Sequence, residues 1–282
     1  MGTEPVASLS EYLATLDLVF SNGSRPLWFR GHGDLSWRLA PSALRYKKAE
    51  NIRKALGLVV DFRRIADFRV QRPPPFDDGL KWMQLAQHYG LPTRLLDWTS
   101  NAAIALYFAC LQPDIHGMVY VMDPTELNIG VLNGEKRLLD PTEDRTVIER
   151  YLKLPAKPNP RGKKPTIAIQ PVINDERIQL QRGAFTLHGN REFDLTAAQV
   201  SSLCYIPVLA EHKESLIGAE VDVGGGELGD EAAEDVRLDE RGNLVAEAEL
   251  FENLLHVAAE AVELLCRSWK CRNAITHRIN AT

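Results

Sequence analysis

Residues 82–110 constrain the fold more than any other stretch of the chain. They read W-M-Q-L-A-Q-H-Y-G-L-P-T-R-L-L-D-W-T-S-N-A-A-I-A-L-Y-F-A-C. A helical pattern over 79–89 stops at Gly90, placed as its C-cap, and Pro92 prevents its continuation. Residues 93–98 then read as a strand, and Thr99, Ser100 or Asn101 can cap the next helix. That helix, A-A-I-A-L-Y-F-A-C, is apolar all round, so it belongs in the interior. Helix end, turn, strand and second helix succeed one another with almost no residues between. Polar side chains sit inside this unit, where a purely structural segment would be apolar.

The other elements can be placed around it. Ser8 and Glu11 form an S-x-x-E capping box, and Leu9, Leu13, Leu16 and Phe20 come at helical spacing, which predicts a helix over 8–20. Leu27, Trp28 and Phe29 read as a buried strand that ends in Arg30-Gly31-His32-Gly33. A basic helix is expected over 48–70, then a stiff connector at Q-R-P-P-P-F-D-D. Further strands are expected at 118–122, 166–170, around Gly183 and at 204–209, with a helix near 142–152. Residues 153–165, rich in proline, read as an exposed loop. Residues 211–246 are acidic and glycine-rich, and within them G-G-G-E-L-G-D reads as a loop rather than a phosphate cradle: it lacks G-K-[S/T], and its acids would repel phosphate. Residues 247–269 carry an amphipathic helical pattern.

Charge and cysteine usage narrow the function classes. Residues 22–72 hold 12 Lys/Arg against 4 Asp/Glu, and residues 145–191 hold 10 against 3, whereas residues 211–263 hold 3 against 16. The basic parts either meet a polyanion or are neutralised by the acidic part across the fold. Cys110, Cys204, Cys266 and Cys271 form no C-x-x-C pair. Free thiols in a reducing, cytoplasmic setting are therefore expected, with neither a metal site nor a disulfide framework. No run of 18 apolar residues is present, and the first residues lack the basic and apolar regions of a signal peptide, so no membrane partner is expected.

Three polar clusters stand beside strands expected to be buried: Arg30 with His32; His88, Thr93, Arg94, Asp97, Thr99 and Ser100; and Gln179, Gln181 and Arg182. Buried polar groups need partners, so these side chains either bond one another or line a shared ligand pocket. Arg30 offers a planar fork of donors suited to phosphate or carboxylate, and Gly31 and Gly33 let backbone approach a ligand. No Ser/His/Asp nucleophile pattern and no H-E-x-x-H is found.

Three blocks of sequence carry a family resemblance. W-F-R-G-H-G-D-L-S-W-R-L-A-P-S-A-L-R resembles the motif for which the FRG domain family is named. L-A-Q-H-Y-G-L-P-T-R-L-L-D-W-T-S-N-A-A-I-A-L-Y-F-A resembles its second block, and R-I-Q-L-Q-R-G-A-F-T its third. The blocks span about 28–190, and the whole chain, 1–282, is expected to form one such domain, with an acidic insert at about 211–246 and a closing helix at about 247–269. The resemblance implies an α+β fold with a mixed or antiparallel split β-sheet flanked by helices, like that of ADP-ribosyltransferases. It further implies NAD as substrate, a nucleic-acid or protein acceptor, and a setting in toxin or anti-phage defence with an antitoxin or chaperone partner.

Carried over by position, Arg30, with Gly31 and Arg94, would hold the NAD phosphates or ribose, and Thr99 or Ser100 would supply the hydroxyl. Gln181 would stand where such transferases place a glutamate. A neutral amide cannot offset developing positive charge as a carboxylate does, so Asp97 or Glu176 would supply the charge, or His88 would act as base. The alternatives are NAD hydrolysis without an acceptor and a non-catalytic nucleotide- or nucleic-acid-binding module.

Overall fold

The computed structural model describes residues 2–20, 26–66, 70, 73–152, 164–170, 183–189, 194–195 and 199–217. Among these, six helices flank one six-stranded sheet. In chain order the elements are α1 (Leu9–Phe20), β1 (Trp28–His32), α2 (Ala49–Ala66), α3 (Gly79–His88), β2 (Leu95–Thr99), α4 (Ala102–Cys110), β3 (Gly117–Met122), α5 (Arg145–Leu152), β4 (Ile167–Ile169), β5 (Gly183–Leu187), β6 (Cys204–Val208) and α6 (Ala210–Ile217). The sheet order is β4-β5-β2-β1-β3-β6, and every strand pair is antiparallel.

The local signals explain most boundaries. Glu11 N–H donates to Ser8 Oγ at 3.2 Å, and Glu11 Oε2 accepts from Ala7 N–H, one residue earlier than an ideal capping box requires. Gly90, at φ 82°, comes after α3 in a left-handed conformation that glycine adopts freely. Of the three residues expected to cap α4, Asn101 does so: its Oδ1 accepts from Ala103 and Ile104 N–H. β2 starts at Leu95 rather than Thr93, because Thr93 N–H and C=O are taken by Ser42 Oγ and Ala43 N–H.

Residues 210–217, where the acidic stretch begins, are helical. They form α6, anchored by Leu216 in the core and by Lys213, whose ammonium donates to the Gly33 and Gln112 carbonyls at 3.0 and 2.8 Å. The remainder of the acidic stretch and the helix expected at 247–269 lie outside the described residues.

Three apolar clusters form the core. On one face of the sheet α1 and α4 cover β1, β3 and β6, burying Tyr12, Leu16, Phe29, Leu106, Val119, Val121 and Ile206. On that same face α3 and α5 cover β2, β4 and β5 through Leu80, Met83, Ile148, Leu95, Ile167 and Phe185. The opposite face buries Trp28, Leu96, Trp98 and Met122 beneath Leu39, Leu195, Val200 and Leu203. Each buried side chain of this size contributes about 1.5–3 kcal/mol through removal from water. The seam between the first two clusters falls between β1 and β2, in the middle of the sheet.

β1 pairs with β3 over five residues but meets β2 at a single pair, Phe29 with Thr99. That register would bring Gly31 opposite Asp97 at the next hydrogen-bonded step. The strands part there instead. The expected antiparallel sheet flanked by helices is thus present.

Candidate functional site

The parting of β1 and β2 leaves main-chain groups of β2 for side chains to satisfy. Alternation along β1 puts Trp28, Arg30 and His32 on one face, and Phe29 and Gly31 on the other. Arg30 is half-buried; its Nη1 donates to the Asp97 carbonyl oxygen at 2.6 Å, and its Nε donates to His32 Nε2 at 2.9 Å. His32 is buried, so it accepts that bond as a neutral imidazole with its proton on the other ring nitrogen. Burial, then the charges of Arg30 and Arg45, hold its pKa down to about 3. Burial likewise lowers Arg30 to about 10, against the pull of Asp97 in the other direction, so Arg30 remains a cation at neutral pH.

Aromatic rings line the same face. His32 packs edge-on against Tyr120 at 5.0 Å, and Trp37 lies 5.9 Å from His32 with 44% of its surface exposed. Tyr120 stands directly across from Arg30 in the β1–β3 ladder, and burial raises its pKa. Arg45 interacts electrostatically with Asp97; burial is the main cause lowering its pKa, and its Nε donates to the Ala40 carbonyl at 2.8 Å.

Asp97 is the exposed residue of β2, set between buried neighbours. Gln87 Nε2 donates to its carboxylate at 2.6 Å. Gln87 Oε1 accepts from the Thr93 hydroxyl, which itself accepts from Leu95 N–H. A chain of polar contacts therefore ties the end of α3 to the start of β2 and presents the Asp97 carboxylate beside the parted strands.

The residues singled out from sequence have separate fates. Arg30 and Asp97 meet. Thr99 is buried, and its hydroxyl accepts from Asn101 N–H at 3.0 Å, whereas Ser100 is exposed. His88 is exposed at the end of α3, its ring 5.7 Å from that of Tyr89. Gln181, Glu176 and the other residues of 171–182 lie outside the described residues.

Two residues assigned to the ligand are engaged by the chain itself. Gly31 does not open the backbone to a ligand on its bare side: a Cβ there would stand 1.9 Å from the Ala105 carbonyl oxygen, so its missing side chain lets α4 pack onto β1. Arg94 is 2% exposed, and its guanidinium donates to the His188, Tyr151 and Leu152 carbonyls at 2.7, 2.7 and 3.3 Å. It ties the C-terminus of α5 to the end of β5, away from Arg30. Burial brings its pKa down to about 10.

Sequence reasoning missed Gln87, Arg45 and Tyr120. Gln87 carried a usable signal, being a polar residue in the last turn of a helix just before the strand that bears Asp97. Arg45 and Tyr120 reach the site only through tertiary contacts. Among the described residues no cluster of His, Cys, Asp or Glu could hold a metal ion.

Residues 25–117 match the model of the FRG domain family, and this stretch of the chain is an FRG domain. The match covers β1, α2, α3, β2 and α4, and so contains both strands that part and every residue named around Arg30 except Tyr120. The sheet continues beyond it through β3 to β6. No curated protein and no solved structure matches the chain.

Proposed function

We propose that the protein is an NAD-consuming ADP-ribosyltransferase whose active cleft is the parting of β1 and β2. The observation that carries this reading is the state of Arg30. It is a half-buried cation bonded to a carbonyl and a neutral imidazole, and among the described residues no carboxylate lies within ion-pair distance of it. A guanidinium held this way retains charge and donors for a phosphate or ribose. The split antiparallel sheet supports the same reading, as a divergent relative of the ADP-ribosyltransferase fold.

In the proposed reaction the bond from ribose C1′ to the nicotinamide nitrogen breaks, and nicotinamide leaves with the electron pair. An acceptor nucleophile then bonds to C1′ and releases its proton to a base. Asp97, whose carboxylate is held by Gln87, supplies the negative charge that stabilises the cationic ribose and that Gln181 cannot provide. Thr99 and Ser100, at the closed end of the parting, flank the nicotinamide ribose, and His88 is the remaining base in reach of the chain's polar cluster. The basic stretches 22–72 and 145–191 favour a nucleic-acid acceptor, in a toxin or defence effector controlled by an antitoxin or chaperone partner.

The amide at Gln181 favours a second reading, a module that binds a nucleotide without turning it over. Incubation of the pure chain with labelled NAD and with single-stranded DNA, RNA or cell extract separates the two. Transferred label together with released nicotinamide supports the transferase, and free ADP-ribose alone indicates a hydrolase. Binding without nicotinamide release leaves the binding module, and neither binding nor release overturns both readings.

A further inference from the structure

A cavity of about 780 Å³ lies between α2, α3 and α5. Its size falls within the range of small-molecule sites, roughly 300–1,000 Å³. Leu56, Val59, Phe76, Trp82, Met83 and Leu152 make its wall largely apolar. The charges in that wall are unevenly matched. Its two acids, Asp77 and Glu149, are both bonded to Arg145, at 2.6 and 2.8 Å. Arg94, at the floor, directs its guanidinium to main-chain carbonyls.

Arg63 differs from both. Its guanidinium carbon lies 4.1 Å from the Phe76 ring centre, and its Nη1 donates to the Phe76 carbonyl at 3.2 Å. Its Nε is buried without a hydrogen-bond partner among the described residues, and no acid there forms an ion pair with Arg63. A guanidinium without an ion pair, in the wall of a largely apolar cavity, leaves its charge for a ligand to complete.

We propose that this cavity is a second binding site, for a small amphipathic anion: an apolar body that fills the space between the helices and a carboxylate that bonds the Arg63 fork. The stacking on Phe76 fixes the guanidinium plane, which leaves the remaining N–H groups of its terminal nitrogens for the carboxylate. This site is separate from the parting of β1 and β2 and does not depend on the reading of that cleft.

Calorimetric titration of the whole chain with octanoate tests it, with octylammonium as the charge-reversed probe. Saturable one-to-one binding of octanoate is expected, with octylammonium at least about tenfold weaker. Arg63→Gln should weaken octanoate by about tenfold or more. Val59→Trp, which fills the cavity and leaves Arg63 in place, should abolish binding. Circular dichroism melts check that each variant folds; if Arg63→Gln does not, the probe comparison and Val59→Trp decide the matter. Non-saturable uptake, equal affinity for the two probes, or binding unchanged by Val59→Trp would overturn the proposal.

Discussion

Arg30 donates from Nη1 to the main-chain oxygen of Asp97 at 2.6 Å, across the place where β1 and β2 cease to pair. In a closed ladder that oxygen would accept from the main-chain N–H of Gly31. A side chain therefore does the work of a strand, and the sheet is held open at its centre with a cation at the opening.

Arg30→Lys tests whether the fork or the charge matters. Lysine preserves the charge but cannot hold the Asp97 carbonyl, the His32 ring and a phosphate in one plane. ADP-ribose affinity, measured by calorimetry, should fall at least about tenfold, as expected for one lost charge-assisted hydrogen bond. Unfolding in urea should show a loss of no more than about 1.5 kcal/mol, because a single net hydrogen bond contributes about that much. An unchanged affinity would remove Arg30 from the binding site.

Gly31→Ala and Gly57→Ala should act in opposite directions. At Gly31 the added methyl would stand 1.9 Å from the Ala105 oxygen and 2.6 Å from the Ala109 nitrogen, both main-chain atoms of α4. The helix must shift, at a cost of about 1–3 kcal/mol or more. At Gly57, within α2, nothing lies within 4 Å of the added methyl. Removing a glycine from a helix interior there should add about 0.5–1 kcal/mol. Thermal melts of the two variants, compared with the parent, check both signs.

His32 should make stability depend on pH in acid. Its folded pKa, about 3, lies below the ordinary value near 6.5, so the unfolded chain binds a proton first. Stability is therefore undiminished above about pH 6.5, falls as the pH drops from there towards 3, and loses nothing further from this group below that. The slope from one such group reaches about 1.4 kcal/mol per pH unit. His32→Gln, whose amide oxygen can still accept from Arg30, should flatten the profile in that window. Urea unfolding of parent and variant at a series of pH values would show it, and parallel profiles would contradict it.

Arg94→Met separates structure from binding. Three main-chain carbonyls lose their partner when the guanidinium is removed, which should cost about 2–4 kcal/mol in denaturant unfolding, at 1–3 kcal/mol for each buried group left unsatisfied and some relief by rearrangement. Under conditions where the variant is folded, ADP-ribose affinity should stay within about threefold of the parent, because Arg94 does not reach the parting of β1 and β2. A loss matching that of Arg30→Lys would return Arg94 to the binding site.

Arg30 and Arg94 illustrate what can be read from the chain and what cannot. Both are arginines beside a short apolar strand, next to turn-forming residues, and each is equally suited to a phosphate. Side-chain chemistry alone cannot tell them apart. Arg94 meets the carbonyls of Tyr151 and Leu152, which lie 57 and 58 positions further along, so its burial depends on where α5 docks. Gly31 is legible as a place of close approach, but the approaching group is a helix of the same chain.

The sequence by itself determined what is local. The capping of α1, the stop at Gly90, the cap at Asn101 and the burial of α4 come from residues within a turn or two of one another, because propensity, capping and periodicity act over that range. The residue-by-residue likeness to FRG domains also lies in contiguous blocks. Only the tertiary structure decided that β1 and β2 part beyond the Phe29–Thr99 pair, and that Gln87 bonds the Asp97 carboxylate while Arg45 feels its charge. It also decided that an unmatched Arg63 faces a cavity. These depend on how two helix layers meet over the middle of the sheet, and the side chains that set that distance are far apart in sequence.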